Sequence, residues 1–207
     1  MTLPVIVLGG GGHAKVLIDT LYSMSVPVLG VVDPDAGKHD QLILGVPVIG
    51  NDDFISNYSP TDIQLVNGLG STKTTAKRRQ IYDKFKNLGY TFASVIHSAA
   101  IVSEYVNKSA GIQVLAGAVI QPGVSLGENT IINTKASVDH DCNIGSHVHL
   151  APGVTISGEV KIEDGTHVGT GAVIIQGVKI GQGCLIGAGA VILSDVPSGK
   201  TVVGLYK

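Results

Sequence analysis

Cys142-Asn143-Ile144-Gly145-Ser146-His147-Val148-His149-Leu150-Ala151-Pro152-Gly153-Val154-Thr155-Ile156-Ser157-Gly158-Glu159 divides into three sixes without remainder. Each six carries a branched aliphatic at its third place, and the pattern runs outward in both directions. Every sixth residue from Val114 to Ile192 is Val, Ile or Leu, and every residue two places earlier, from Ile112 to Ala190, is small or β-branched or a thiol. Glycine recurs at the close of the hexads, at Gly117, Gly123, Gly153, Gly165, Gly171, Gly177, Gly183 and Gly189, where a tight corner needs a permissive backbone. A helix repeats near 3.6 residues and an ordinary strand near 2, so neither explains a period of six. A parallel β-helix of triangular section does, with three hexads to each coil.

The composition agrees. Of 207 residues 28 are Gly and none is Trp, and 44% are hydrophobic but only 4% aromatic, which suits a narrow repetitive β core. The net charge is −2 and the basic residues form no run, so nothing points to nucleic acid or to a membrane surface. The apolar stretches fall well short of the roughly 20 residues that span a bilayer, and Met1 to Ile6 has neither a basic region nor a cleavage site. A cytoplasmic protein is expected. Cys142 and Cys184 stand outside any metal-ligand spacing and read as buried thiols.

The first ninety or so residues follow other rules. Val5-Ile6-Val7-Leu8 reads as a buried strand, and an amphipathic helix follows to about Met24. Val28 to Val32 and Ile63 to Asn67 read as further strands, and Thr74 to Leu88 as a second helix. The expected architecture is an α/β Rossmann-like βαβαβ domain over residues 1–95, then a β-helix over 96–207. Gly9-x-Gly11-x-x-Ala14 lies between the first strand and helix, and Asp33 ends the second strand. Glycines there let the backbone approach a diphosphate, the helix N-terminus favours its charge, and a carboxylate beyond can hold sugar hydroxyls. Ninety residues make only half of a dinucleotide domain, so a nucleotide is expected rather than a nicotinamide.

The hexad stretch resembles the hexapeptide-repeat acyltransferase family, which implies left-handed coils and a homotrimer. With Gly-Gly-Gly-His-x-Lys at residues 10–15 ahead of it, the whole chain resembles the group of sialic acid O-acetyltransferases and nucleotide-amino-sugar N-acetyltransferases. The resemblance implies that Gly11, Gly12 and His13 contact a nucleotide-linked sugar, with Asp33 and Gly70 nearby. It implies acetyl-CoA as co-substrate and no metal. The reaction implied is acetylation of the 4-amino group of a 4-amino-4,6-dideoxy sugar, carried on UDP, for a bacterial surface glycan.

Attack on a thioester requires the acceptor to lose a proton, and a histidine is the natural base. The repeats supply His140, His147, His149 and His167. The segment Asn133 to Asp141 resembles the family's active-site segment. The base then falls on His140, with Asp141 as the carboxylate that orients it and Asn133 as an active-site amide. His149 matches the residue near the acetyl-CoA carbonyl. Thr170 and Ala188, eighteen apart on the same face, match coenzyme contacts. His140 falls on the next face, so a site between neighbouring subunits is expected.

Three alternatives stay open: O-acetylation of sialic acid or another sugar, a zinc carbonic anhydrase of the same fold, and a non-catalytic solenoid. Only His149 and His167 stack by whole coils, which is thin for a three-histidine metal site. The chain also ends Gly204-Leu205-Tyr206-Lys207, where the family commonly has Gly-x-Pro-Ala-Lys/Arg.

Overall fold

A computed structural model describes residues 3–207. β1 (Val5–Leu8) is buried along its whole length, as a central parallel strand must be. α1 (Gly12–Ser23) leads to β2 (Val28–Val32). After β2 come a short hairpin, β3 (Leu42–Ile43) and β4 (Val46–Gly50), then β5 (Gln64–Asn67) and α2 (Ala76–Asn87). The sheet order is β3-β4-β2-β1-β5, parallel except for the β3–β4 hairpin. The chain thus winds outward from β1 to β4 and returns to the other side of β1. That reversal opens a crevice at the carboxyl ends of β1 and β5, where doubly wound sheets take their ligands. The loops Gly9–Gly11 and Gly68–Ser71 both leave the sheet there.

The hairpin is an addition to the expected βαβαβ unit. β3 has only two residues, and β4 contains Pro47, a residue that argues against a strand, so neither carried a strand signal. α2 begins two residues later than expected. Thr75 at its N-cap makes no cap bond, because its hydroxyl donates to the Gly165 carbonyl across the domain junction at 2.9 Å.

Beyond the junction the chain is a left-handed β-helix with three parallel faces. The first face stacks Val95–Ile96, Gln113–Val114, Ile131–Ile132, His149–Leu150, His167–Val168, Leu185–Ile186 and Thr201–Val202. The second runs from Ile101–Val102 to Leu205–Tyr206, and the third from Asn107–Lys108 to Lys179–Ile180. Successive coils pair eighteen residues apart, as in Ile131 with His149 and His149 with His167. The aliphatic series from Val114 to Ile192 points inward and forms one continuous core with the small series beside it. The coils start at Val95, ahead of the hexads legible in the sequence. Lys108 stands at the aliphatic place of the first third-face strand, exposed at the solenoid's end, and interrupts the series.

All eight expected corner glycines have φ between 65° and 78°. Asn129, Lys135, Asp141, His147 and Glu159 take the same left-handed conformation at the intervening corners, with φ of 56° to 60°. A residue without glycine's freedom is strained there, so a side chain at such a corner has a reason to be present. Leu205–Tyr206 pairs with Val191–Ile192, so the atypical C-terminal residues add a strand to the second face. Among the described residues no helix is long and apolar enough to cross a membrane.

Candidate functional site

The crevice of the N-terminal sheet faces the first side of the β-helix, and between them lies a cavity of about 1170 Å³. Its N-terminal wall is the glycine loop. Added methyl groups at Gly11 and Gly12 would meet nothing within 4 Å, so the backbone is open there. Gly11 is the N-cap of α1 without a side-chain cap, and no acidic residue occupies the first turn. The helix's free amides therefore point a partial positive charge at the cavity, beside Lys38, Lys73 and Lys77.

Asp33 lines the same wall, but its carboxylate is already engaged. It accepts from Gly10 N–H at 2.7 Å, Asp35 N–H at 2.9 Å and Lys38 Nζ at 3.0 Å. Burial works to raise its pKa, and the hydrogen bonds from Asp35, Gly10 and Lys38 outweigh it, so the pKa is lowered. Asp33 thus holds the glycine loop in shape and sets Lys38 in the cavity. Gly70 comes close to His13: a methyl group there would lie 3.3 Å from His13 Cβ.

His13 is held in one tautomer. Gln113 Nε2 donates to the Asn67 carbonyl at 2.8 Å, which leaves Gln113 Oε1 to accept from His13 Nε2–H at 2.7 Å. Burial first, and the Arg78 guanidinium second, push the His13 pKa down to about 4. The ring is neutral, with Nδ1 unprotonated. Arg78 is itself fully buried and donates to the carbonyls of Asn67, Leu69 and Asn129, tying the Gly68–Ser71 loop to the solenoid. Desolvation pushes its pKa down to about 9, still charged at neutral pH.

The opposite wall carries His149 and His167 on the first face, Asn133 just past its strand edge, and Thr170 and Ala188 in the corner turns beyond. Thr170 and Ala188 are not on the face itself as the sequence suggested, because each follows its strand by two residues. His149 and His167 are in register, their rings 5.0 Å apart and edge to face. Asn133 Nδ2 reaches His149 Nε2 at 3.0 Å, so the structure gathers Asn133 with His149 rather than with the expected base. Burial, then His167, His13 and Arg78, push the His149 pKa down to about 2. Ser71 crosses from the N-terminal domain to touch both rings, at 2.7 Å and 3.1 Å. No sequence signal marked Ser71, Gln113 or Arg78; each acts through a partner in the other domain, between 51 and 100 residues away in the chain.

His140 and Asp141 lie outside this cavity, at the corner that follows the second face. The His140 ring is about half exposed, and its Nδ1 meets Asp141 Oδ2 at 2.9 Å. That hydrogen bond is the main reason its pKa is raised. Asp141 occupies a left-handed corner at φ 58°, a conformation that places its carboxylate beside the ring. Gly158, one coil on, supplies the space for the imidazole: a methyl group there would lie 2.6 Å from Nε2. His147 belongs to neither group. It is buried against Asn129 at 2.9 Å and edge-on to Tyr82, and serves the domain junction.

Cys142 and Cys184 are free and buried, and their thiols donate to the carbonyls of Ser157 and Pro197 at 3.1 Å. Burial pushes the Cys142 pKa up to about 11, which is no setting for a nucleophile. Among the described residues no three His, Cys, Asp or Glu side chains converge on a metal-sized space.

Residues 4–85 match the PglD N-terminal domain family, and residues 159–194 match the bacterial transferase hexapeptide family of six repeats. The acetyltransferase domain of PglB from Neisseria gonorrhoeae, solved with acetyl coenzyme A, is 35% identical over 99% of this chain and 97% of its own, with a TM-score of 0.90. The chain belongs to the hexapeptide-repeat N-acetyltransferases. PerB from Caulobacter crescentus, solved with CoA and GDP-perosamine, is 34% identical to this acetyltransferase over 97% of the chain and 94% of its own, at a TM-score of 0.89. WeeI from Acinetobacter baumannii is 28% identical over 98% and 97%, at 0.85. The likeness spans both domains of the acetyltransferase and the junction between them.

Proposed function

We propose that the protein transfers the acetyl group of acetyl-CoA to the 4-amino group of a nucleotide-linked 4-amino-4,6-dideoxy sugar, as a step in making a bacterial surface glycan. One observation carries this reading: a single cavity joins a glycine loop at a helix N-terminus to a pair of neutral histidines on a β-helix face. Both co-substrates named for PerB and the PglB domain have a counterpart in these two walls. In this reading residues 1–95 bind the nucleotide-sugar through Gly11, Gly12, His13 and Gly70, with Asp33 shaping the loop. Residues 96–207 bind the coenzyme along His149, Thr170 and Ala188. UDP is our first choice of carrier, and GDP is the carrier in the PerB complex. A cytoplasmic location suits acetyl-CoA as donor.

His140 is the base. Asp141 holds Nδ1–H, which leaves the Nε2 lone pair to take a proton from the sugar's ammonium group. The amine nitrogen attacks the thioester carbonyl carbon and forms the C–N bond. Collapse breaks the C–S bond, the nitrogen's second proton passes to the departing thiolate, which leaves as the thiol, and His140 returns its own proton to solvent. No covalent acetyl-enzyme forms.

The second face explains how a base outside the cavity can reach it. Ile101, Val173 and Leu205 point outward from it and are 68%, 37% and 59% exposed, with Ile175 and Leu193 beside them. The cavity ends at one edge of this apolar face and His140 stands at the other. A second copy packed there covers the apolar strip and brings its own cavity edge beside His140, and a threefold closure repeats the contact. The homotrimer is part of the proposal.

The test is release of free thiol from acetyl-CoA across UDP-, GDP- and dTDP-linked 4-amino-4,6-dideoxy sugars, with sialic acid as the hydroxyl acceptor. Release with one amino sugar is the expected result. Release with sialic acid alone moves the reaction to O-acetylation, and silence with every acceptor overturns the transferase reading.

A further inference from the structure

A chain of hydrogen bonds crosses the domain junction, and its directions can be read from donors that have only one choice. The backbone N–H of Thr134 donates to Asn133 Oδ1 at 2.8 Å, which fixes that end of the amide as the acceptor. The NH2 end therefore donates to His149 Nε2 at 3.0 Å. An imidazole nitrogen that accepts carries no hydrogen, so the His149 proton is on Nδ1. Nδ1–H donates to Ser71 Oγ at 2.7 Å. The single hydroxyl hydrogen of Ser71 is then directed to His167 Nδ1 at 3.1 Å. His167 carries its own proton on Nε2, and among the described residues this N–H has no partner.

The two histidines therefore differ although they stack in register. Both nitrogens of His149 are used inside the protein, so this ring has no donor left for a ligand. His167 lines the cavity with a free N–H. We propose that Ser71 is a positioning residue that sets the two tautomers, and that His167 Nε2–H is the donor for a carbonyl oxygen of the acyl-thioester arm. The proposal rests on the acetyl-CoA reading given above. A neutral N–H is well matched to that role, because it avoids an unpaired charge in a buried site. Its hydrogen bond also strengthens as the amine's attack moves the C=O π pair onto oxygen.

Two-bond 15N–1H spectra of the full-length protein, labelled at histidine and assigned with single histidine variants, test the assignment without any turnover. The expected pattern is His149 protonated at Nδ1 and His167 at Nε2, both neutral at pH 7. Acetyl-CoA added to the labelled protein shifts the His167 Nε2–H resonance. Ser71→Ala mixes the His167 tautomers and lowers kcat/KM for acetyl-CoA roughly tenfold, whereas Ser71→Thr keeps the hydroxyl and retains both. His167→Phe lowers kcat by about 10²-fold and leaves nucleotide-sugar affinity unchanged. A proton on Nε2 of His149, or a His167 resonance that does not move with acetyl-CoA bound, overturns the proposal. So does Ser71→Ala with wild-type tautomers. Failure of the transferase reading shows instead as no turnover in the wild type.

Discussion

At His140 the deciding contact is the 2.9 Å hydrogen bond from Nδ1 to Asp141. It fixes the tautomer and raises the ring's pKa, so as the proposed base His140 is stronger but needs a higher pH to be free. Asp141→Asn is expected to move the acid limb of the kcat/KM profile to lower pH and to lower the plateau about tenfold; a limb that stays in place contradicts the role. His13 and His149 behave oppositely. Burial holds them neutral, with pKa values pushed down to about 4 and about 2. An unfolded histidine takes a proton near about 6.5. Below that pH the unfolded chain binds protons that the folded one refuses, so stability is full above it and falls as acid is added. At about pH 5 each ring costs about 2 kcal/mol, readable as a lower urea midpoint. In His13→Gln about half of this pH dependence is expected to vanish, and an unchanged slope counts against the buried neutral ring. Contacts between chain neighbours were legible, as in the pairing of His140 with Asp141. Ser71 and Gln113 were not, because their meaning depends on which distant residue the fold sets opposite.

The elements show the same division. A period of six exposed the coils from Ile112 on, because burial of every sixth side chain is a local demand repeated along the chain. It stopped short of Val95 because Lys108 interrupts the series where the end of the solenoid leaves that place exposed. The β3–β4 hairpin, with a two-residue strand and a proline, left no pattern to read. Glycine in these coils has two separate jobs. Gly183 has φ 65° with open space around it, so its reason is the backbone alone. Gly127 lies against the next coil, where a methyl group would sit 2.4 Å from the Gly145 carbonyl carbon and from Ser146 N. Gly183→Ala is expected to cost about 1 kcal/mol, and Gly127→Ala roughly 3 kcal/mol, by chemical denaturation. The reverse order contradicts this picture of the coil stacking.

On the scale of the whole molecule, two domains recognisable from sequence share a cavity whose walls come from both. Gly9-x-Gly11-x-x-Ala14 and the hexads announced each half, but the Arg78, Asn67 and Gln113 network that fixes one against the other is a product of packing. His140 lies outside the cavity, so the proposed trimer is what would bring the proposed base to its substrate. Val173→Glu places a charge in the apolar second face; we expect folded protomers that still bind nucleotide-sugar, fail to assemble, and lose transfer. An assembled, active variant contradicts the shared site. The decisive experiment is kcat of His140→Ala on the accepted amino sugar, with nucleotide-sugar affinity measured on the same protein. Unchanged affinity and a kcat lower by about 10²- to 10⁴-fold are expected. Wild-type kcat in His140→Ala refutes this residue as the base and puts the base elsewhere in the site.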